Sequence, residues 1–167
     1  MVGTVFLFMY WPSFNGALAV GMAQQRAAIN TLLSICTSTM VAVYVSRALT
    51  GKIDMEVMLN ATLAGGVVMG ASCDLIIGPG FAMIAGFVAG VISAVGFLKL
   101  NAICKEKIGL HDTCGIQFLH GIPGTLGGFV SAITVAAGTY NFENDMQIKA
   151  LMPAVAAGRS VQIQACY

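Results

Sequence analysis

Residues 79–98 read PGFAMIAGFVAGVISAVGFL, a stretch of 20 residues without a charged side chain. The uncharged run begins at Leu75 and is closed by Lys99. A helix needs about 20 residues, rising 1.5 Å each, to cross a hydrocarbon core about 30 Å thick. The apolar residues surround this helix instead of forming one stripe, as contact with lipid requires. The stretch therefore predicts a transmembrane helix.

The composition of the whole chain agrees with a membrane location. Only 9% of the 167 residues are charged and 57% are hydrophobic, whereas soluble domains carry about 25% charged residues. A soluble enzyme, a nucleic-acid-binding protein and a disordered segment are all disfavoured, and the net charge of +1 predicts no polyanion partner. Five scattered cysteines form no metal-binding or disulfide pattern, so we expect no metal and no cofactor.

Other long uncharged runs predict further spans. The fold class is therefore all-α, a polytopic transmembrane helix bundle with about five complete spans. The chain is expected to form one integral membrane domain over residues 1–167, as a fragment of a longer protein, and residues 160–167 could begin another span. The predicted spans are residues 1–23, 28–46, 56–76, 79–99 and 114–138.

The basic residues predict the orientation of these spans, because cytoplasmic loops carry an excess of Lys and Arg. With alternating spans, the loops at 46–56 and 99–112 lie on one side of the membrane. The opposite loops hold only Arg26 and Lys149, or three basic residues if Arg159 is included. The loops at 46–56 and 99–112 are therefore predicted to be cytoplasmic. Their five basic residues are Arg47, Lys52, Lys99, Lys105 and Lys107.

Small residues recur at spacing four within three of the predicted spans. This spacing places them on one face of a helix, where missing side chains let two backbones approach closely. The ridges predict a compact bundle and do not by themselves imply a pore. They are Ala82, Gly86, Gly90 and Ala94, then Thr62, Gly66 and Gly70, then Gly124 and Gly128.

His120 is the candidate functional residue within the fifth predicted span. Asp112 is a plausible N-cap for that span, and His120 follows eight residues later, about 12 Å deeper if the path is helical. Ionisable residues at such depth usually face a cavity or a partner. Desolvation would favour the neutral imidazole, which can donate one hydrogen bond and accept another. A purely structural hydrogen bond between helices is the alternative.

Pro123 follows His120 closely and is predicted to bend the span. Proline has no N–H, so the carbonyl of Leu119 would lose its helical partner. Gly121 and Gly124 reduce bulk on either side. These features suit a narrow path for a small polar molecule, and they suit tight packing equally well.

The first span contains an aromatic and polar cluster around Pro12. Trp11 and Phe14 lie too far into the uncharged run for a simple interfacial belt. Asn15 within lipid requires a hydrogen-bond partner on another helix. Phe14 could line or block a path, while core packing remains the more ordinary interpretation for all three residues.

Taken together, four stretches resemble the Rh glycoprotein branch of the Amt/Mep/Rh ammonium transporter family. They are MYWPSFN at residues 9–15, QQRAAIN at 24–30, NATLAGG at 60–66 and DTCGIQFLHGIPG at 112–124. Their order and spacing are compatible with the family over most of residues 1–138.

The resemblance implies a bundle of eleven or twelve helices, a homotrimer or Rh heterotrimer, and one narrow apolar pore per subunit lined by two histidines. His120 matches the second histidine and Phe14 the inner phenylalanine of the gate. The first histidine and the outer phenylalanine would belong to helices preceding Met1. The implied substrates are ammonium and ammonia, in a protein of the plasma membrane surrounded by lipid. The candidate pore residues are His120, Phe14, Trp11, Asn15 and Ile116, with Asp112, Pro123, Gly121 and Gly124 as cap or structural residues.

Two positions depart from the family's pattern. Leu18 stands where bacterial ammonium transporters have a serine at the outer recruitment site, which puts a high-affinity cation site in doubt. Gln117 and Phe118 stand where an Rh glycoprotein is expected to have His and Asn. The resemblance assigns no effect to this second departure.

Three functional interpretations remain. Ammonium would be deprotonated and conducted as neutral ammonia, because an apolar pore disfavours the cation. A membrane scaffold that keeps the fold without transport is an alternative, although it would be expected to lose the pore histidine. Carbon dioxide conductance through the same pore is a variant of the first. An enzyme is not expected, since no nucleophile and base are paired.

Overall fold

The computed structural model describes residues 2–75 and 78–136. Within them the chain forms helices and turns without a strand, which confirms the all-α class. The helices are α1 (Val2–Asn15), α2 (Met22–Thr50), α3 (Met55–Val68), α4 (Pro79–Val95), α5 (Asn101–Ile108) and α6 (Ile122–Ala136). A first π-helical segment, Gly96–Leu100, joins α4 to α5, and a second, Gln117–Gly121, leads into α6.

Three helices in the described ranges are long and apolar enough to cross a membrane: Met22–Thr50, Pro79–Ile108 and Gln117–Ala136. They correspond to the predicted spans at 28–46, 79–99 and 114–138. The first two helices extend beyond the predicted ends, because a helix can continue through charged residues once it has left the hydrocarbon region. The predicted start of another span at 160–167 lies outside the described residues.

The predicted spans at 1–23 and 56–76 contain shorter helices among the described residues. These are α1 and α3, each described over 14 residues; α3 rises about 21 Å and ends at Val68, eight residues before the predicted end. Turns follow both helices, around Gly16 and Gly70. Hydrophobicity predicts which residues avoid water, but it does not show where side chains from neighbouring helices take over the backbone hydrogen bonds.

Helix α4 packs against α2 through small residues. A Cβ at Gly86 would lie 2.7 Å from Ser34 Cα, and a Cβ at Gly90 would lie 2.7 Å from the backbone oxygen of Ser38. The paired positions rise together along both chains, so α2 and α4 are parallel. The predicted ridge of small residues is therefore confirmed as a packing surface.

The same two serines tie α2 to α3. Ser34 Oγ donates to the Gly65 carbonyl at 2.7 Å, and Ser38 Oγ donates to the Ala61 carbonyl. As the residue number rises in α2, that of its partner in α3 falls, so α2 and α3 are antiparallel. Both serines are fully buried, and their hydrogen bonds satisfy hydroxyl groups that would be costly to leave unpaired.

Helix α6 packs along α3 in the parallel direction. Gly115 lies near Asn60, and Gly127 lies against the backbone of Val68. The turns at 51–54 and 109–116 consequently share one end of the bundle, which is also the end nearest most of the basic residues. The turns at 16–21 and 69–75 share the other end.

Candidate functional site

The C-terminal half of α3 forms a wall on which the candidate residues of α1 are seated. The indole of Trp11 lies directly over Gly66, where any side chain would collide with the ring. Asn15 Nδ2 donates to the Gly66 carbonyl at 3.0 Å and to Thr31 Oγ1 at 3.2 Å. Asn15 thus has the partners on other helices that its position within an apolar segment requires.

These hydrogen bonds belong to a larger set that satisfies the end of α3. The last carbonyls of a helix lack partners within it. In α3 the Gly65 carbonyl accepts from Ser34, the Gly66 carbonyl accepts from Asn15, and the Val67 carbonyl accepts from the Gly70 N–H at 3.0 Å. Three of the last four carbonyls of α3 thus have donors, which lets the helix end inside the bundle.

The turn after α3 is held by α1 and α2. Asn30 Nδ2 donates to the Cys73 carbonyl at 3.0 Å, and Arg26 Nε donates to the Asp74 carbonyl at 3.0 Å. Cys73 Sγ donates to the Asn15 carbonyl at 3.6 Å. Irregular backbone is tolerated at membrane depth only where it is buried or lines a cavity. This turn meets that condition because neighbouring side chains occupy its carbonyls.

Trp11 and Phe14 form an aromatic pair at the end of α1. Their ring centroids are 6.0 Å apart and the rings are inclined by 52°. The Trp11 Nε1 atom is buried, and within the described residues it has no hydrogen-bond partner. Phe14 is 74% exposed and projects from the described part of the bundle. The pair therefore offers one apolar face and one unpaired donor close to Gly66.

His120 lies on the second π-helical segment, next to the same wall. A Cβ at Gly124 would lie 3.7 Å from Val67 Cγ1 and 4.0 Å from His120 Nδ1. Val67 adjoins Gly66, so Trp11 and the turn that carries His120 lie against neighbouring positions of α3. The imidazole is exposed and makes no hydrogen bond to any described residue. Burial of His120, expected from the sequence, is not provided by the described part of the chain.

The start of this segment corrects the depth expected for His120. The Asp112 carboxylate accepts from the N–H groups of Ile116 at 3.0 Å and Gln117 at 2.7 Å. Residues 113–115 form a turn in which Gly115 has φ 66°, so the helix begins after the predicted N-terminus. Counted from Ile116, the first helical residue, His120 lies about 6 Å along the helix, whereas the expected 12 Å assumed an unbroken helix from Asp112.

A change of helix type accompanies Pro123. Ile122 N–H donates to the Gln117 carbonyl five residues earlier, which widens the turn immediately before the proline. Single π-helical turns of this kind occur frequently at functional sites. The sequence predicts an irregularity here, and the structure shows it to be the π-helical turn that carries His120.

The remaining sequence-predicted residues lie apart from this wall or on its surface. Ile116 is 59% exposed, and Leu18 is 98% exposed at the opposite end of the bundle. Gly121 lies under the folded side chain of Gln117, whose Oε1 would be 3.1 Å from a Cβ there. No group of three His, Cys, Asp or Glu within residues 2–75 and 78–136 is arranged to hold a metal ion.

Sequence reasoning missed the roles of Thr31 and Val67 and recognised Gly66 only as part of a ridge. Thr31 shares the Asn15 amide, and Val67 lies between the Trp11 side and the His120 side of α3. The spacing of Thr62, Gly66 and Gly70 predicted close packing without identifying the partner. An aromatic residue and an asparagine elsewhere in the chain were the available signals.

Comparisons with known proteins agree with this architecture. The sequence model of the Ammonium Transporter Family matches residues 1–166. The chain is 49% identical over 140 residues to the human ammonium transporter Rh type C, covering 82% of the chain and 29% of the relative. It is 47% identical over 142 residues to the Xenopus laevis Rh type C protein, covering 83% of the chain and 30% of that relative.

Solved structures match nearly the whole chain. Nitrosomonas europaea Rh50, described in connection with conduction by the Rhesus protein family of channels, has a TM-score of 0.75 and 34% identity. This match covers 98% of the chain and 41% of Rh50. A sensor Amt protein shows the same fold, with a TM-score of 0.71 at 21% identity, covering 98% of the chain and 40% of that protein. The chain spans about a third of the length of the curated relatives it matches.

Proposed function

Since the chain belongs to the Ammonium Transporter Family, and within it to the Rh branch, we propose that it forms part of a path carrying ammonia across a membrane. The family is one of transporters and not of enzymes. In this proposal ammonium loses its proton before the narrow part of the path. Neutral ammonia then crosses, and whether carbon dioxide also passes is decided by the flux measurement below.

One observation supports this proposal most directly. An exposed imidazole stands on a π-helical turn of a helix that is apolar enough to cross a membrane, against the wall that also seats Trp11. An imidazole can donate from one nitrogen and accept at the other, which suits a molecule that is itself both donor and acceptor. The Trp11 ring, seated on Gly66, lines the neighbouring part of the same wall.

The chemistry favours ammonia over ammonium in such a place. Moving an unpaired cation into apolar surroundings carries a large desolvation penalty, whereas a neutral molecule needs only replacement hydrogen bonds. In the proposed mechanism His120 supplies one of these, and a second histidine, placed by the resemblance outside residues 1–167, supplies another. Phe14 limits access of water and hydrated cations, and Asn15 keeps Trp11 and Phe14 in position through its bonds to α3 and α2.

The assembly and its placement are part of the proposal. The complete protein is proposed to be a homotrimer or an Rh heterotrimer in the plasma membrane, with the loops at 46–56 and 99–112 in the cytoplasm. The side of the bundle that bears most basic residues supports this orientation. Labelling of cysteines introduced at Lys52 and Lys105 from one side of sealed cells tests it, since reaction from outside would reverse the orientation.

The function is tested with His120→Ala in the complete protein that carries this sequence. His120→Ala is expected to lower ammonia flux into proteoliposomes at least about tenfold, or to admit the cation and generate a current. His111→Ala is the matched control, because this exposed histidine lies in the turn before the helix and should leave flux unchanged.

The outcomes separate the rival functions. Unchanged ammonia flux and selectivity in His120→Ala would remove His120 from the mechanism. A folded wild-type protein without ammonia flux would instead favour the scaffold, or carbon dioxide conductance if only that gas accelerated internal acidification.

A further inference from the structure

The two π-helical segments contact each other through a reciprocal arrangement of phenylalanine and glycine. Phe118 of the second segment is only 3% exposed and lies over Gly96 of the first, where an added Cβ would be 2.5 Å from its Cγ. Phe97 of the first segment lies over Gly115, two residues before the second segment, where an added Cβ would be 2.5 Å from the Phe97 Cδ2. We call these four residues the phenylalanine–glycine clasp.

The clasp is reinforced beside the aromatic rings. Asn101 Nδ2 donates to the Asp112 carbonyl at 3.1 Å, joining the first residue of α5 to the turn before the second π-helical segment. The Asp112 carboxylate in turn accepts from the N–H groups of Ile116 and Gln117. The backbone entering the His120 turn is therefore held by packing on one side and by hydrogen bonds on the other.

His120 shares one five-residue turn with Phe118 but points elsewhere. Phe118 is buried against Gly96, whereas the His120 imidazole is exposed and lies 4.0 Å from the Cβ position of Gly124. A π-helical turn is a less favourable arrangement than the α-helix and persists where surrounding contacts support it. Without the contact between Phe118 and Gly96, the turn would be free to change register. The imidazole of His120, two residues after Phe118, would then point in another direction.

We propose that the phenylalanine–glycine clasp is a positioning device that sets the direction of the His120 imidazole. The inference rests on the proposed function, because it gives the clasp a role in ammonia selectivity. It also gives a role to Phe118, one of the two residues in the second departure from the Rh pattern, because this side chain seats the second π-helical segment on Gly96. The positioning residues are thus Phe118 and Gly96, and they act through His120.

The test compares a clash, a loss of contact and their combination in the complete protein. Gly96→Ala inserts a methyl group into the space of the Phe118 ring. Phe118→Leu removes ring contact without adding a clash, and the double variant joins the new methyl group to the smaller side chain. Gly128→Ala is the matched control, because no described atom lies within 4 Å of its Cβ position.

Each variant is reconstituted at equal folded amount, and the flux of ammonia and of methylammonium is measured between pH 6 and 8. Gly96→Ala is expected to lower ammonia flux about tenfold and to change the ratio of the two fluxes, since small displacements of a positioned group have large kinetic effects. The double variant is expected to stay as low as Gly96→Ala, because leucine keeps the Cβ and Cγ positions that would lie 2.9 Å and 2.5 Å from the added methyl carbon. Gly128→Ala should keep both the flux and the ratio of wild type.

The clasp proposal is overturned if folded Gly96→Ala or folded Phe118→Leu keeps the wild-type flux, ratio and pH profile. Should Gly96→Ala fail to fold, Phe118→Leu alone decides, because it introduces no collision. Loss of flux in His120→Ala with normal clasp variants would refute the clasp while leaving the proposed function intact. Absence of ammonia flux in the wild-type protein would refute the function itself.

Discussion

Replacement of Gly86 by alanine tests whether α2 and α4 are held at a distance that only glycine permits. The added Cβ would lie 2.7 Å from Ser34 Cα and 2.8 Å from Ser34 Oγ, whereas ordinary contacts begin at 3.4 Å. The obstructing atoms include backbone, so a change of rotamer cannot clear them. The two helices must separate by most of an ångström, and the buried bond from Ser34 to the Gly65 carbonyl would be strained with them.

Two effects of opposite sign determine the magnitude. Overpacking a close interface costs about 1–3 kcal/mol, and obstruction by backbone places Gly86→Ala at the upper end of that range. Alanine improves intrinsic helix stability by about 1 kcal/mol relative to glycine. The expected net destabilisation is about 2 kcal/mol. Gly128→Ala has open space around it and should retain only the favourable effect.

The assay is the apparent Tm of detergent-purified protein, measured from the folded fraction that survives heating. Since about 1 kcal/mol corresponds to roughly 2–4 °C in domains of about 150–250 residues and to less in larger proteins, Gly86→Ala should lower the Tm of the complete protein by a few degrees. Gly128→Ala should raise it slightly or leave it unchanged. An equal or higher Tm for Gly86→Ala would refute the close approach of α2 and α4.

Three further substitutions address the ends of the bundle. Asn15→Ala should destabilise the protein by about 1–3 kcal/mol, because the Gly66 carbonyl loses its donor, and a Tm equal to wild type would contradict this role. Asp112→Ala should cost about 1 kcal/mol and speed amide hydrogen exchange at Ile116 and Gln117, whose N–H groups it accepts; unchanged exchange would exclude the cap. Leu18→Ser should lower the half-saturating ammonium concentration roughly 2- to 10-fold by adding one hydrogen-bonding group at an exposed site, and flux assays showing no decrease would count against a recruitment role there.

The long helices are predictable because their signal is local. A run such as residues 79–98 excludes charge over a whole membrane thickness, and the observed helix Pro79–Ile108 contains it. The ridge at Gly86 and Gly90 is equally local, since spacing four requires one helix face. Fold class and packing surface therefore follow from neighbours in sequence, and the match to Rh50 agrees with both.

The short helices are not predictable in the same way because their ends depend on distant residues. Nothing near Val68 in the sequence shows that Ser34 and Asn15 donate hydrogen bonds to the carbonyls of Gly65 and Gly66. Hydropathy continues through the turn, so the predicted span at 56–76 runs past the end of the helix. Contacts separated by 31 and 51 positions decide the boundary.

The candidate site divides along the same line. Asp112 and Pro123 have recognisable local effects, and both influence the segment that carries His120. The seat of Trp11 on Gly66 and the seat of Phe118 on Gly96 join residues far apart in the chain, so the sequence alone predicts neither pair. A glycine in a helix indicates a position where another side chain or backbone packs closely, and only the fold identifies that partner.

The chemistry of the broken helix ends bears on which species the wall can favour. Carbonyls left free at the end of α3 and in the following turn could be satisfied by charged donors, but two of them are satisfied by the neutral amides of Asn15 and Asn30. Arg26 is the cationic donor to this turn, and it donates to the carbonyl of Asp74, eight residues after Gly66. A cationic donor beside Trp11 would repel ammonium and attract anions, so neutral donors leave the choice between ammonia and ammonium to desolvation. The neutral donors are therefore compatible with the proposed path for ammonia, in which the desolvation penalty is what excludes the cation.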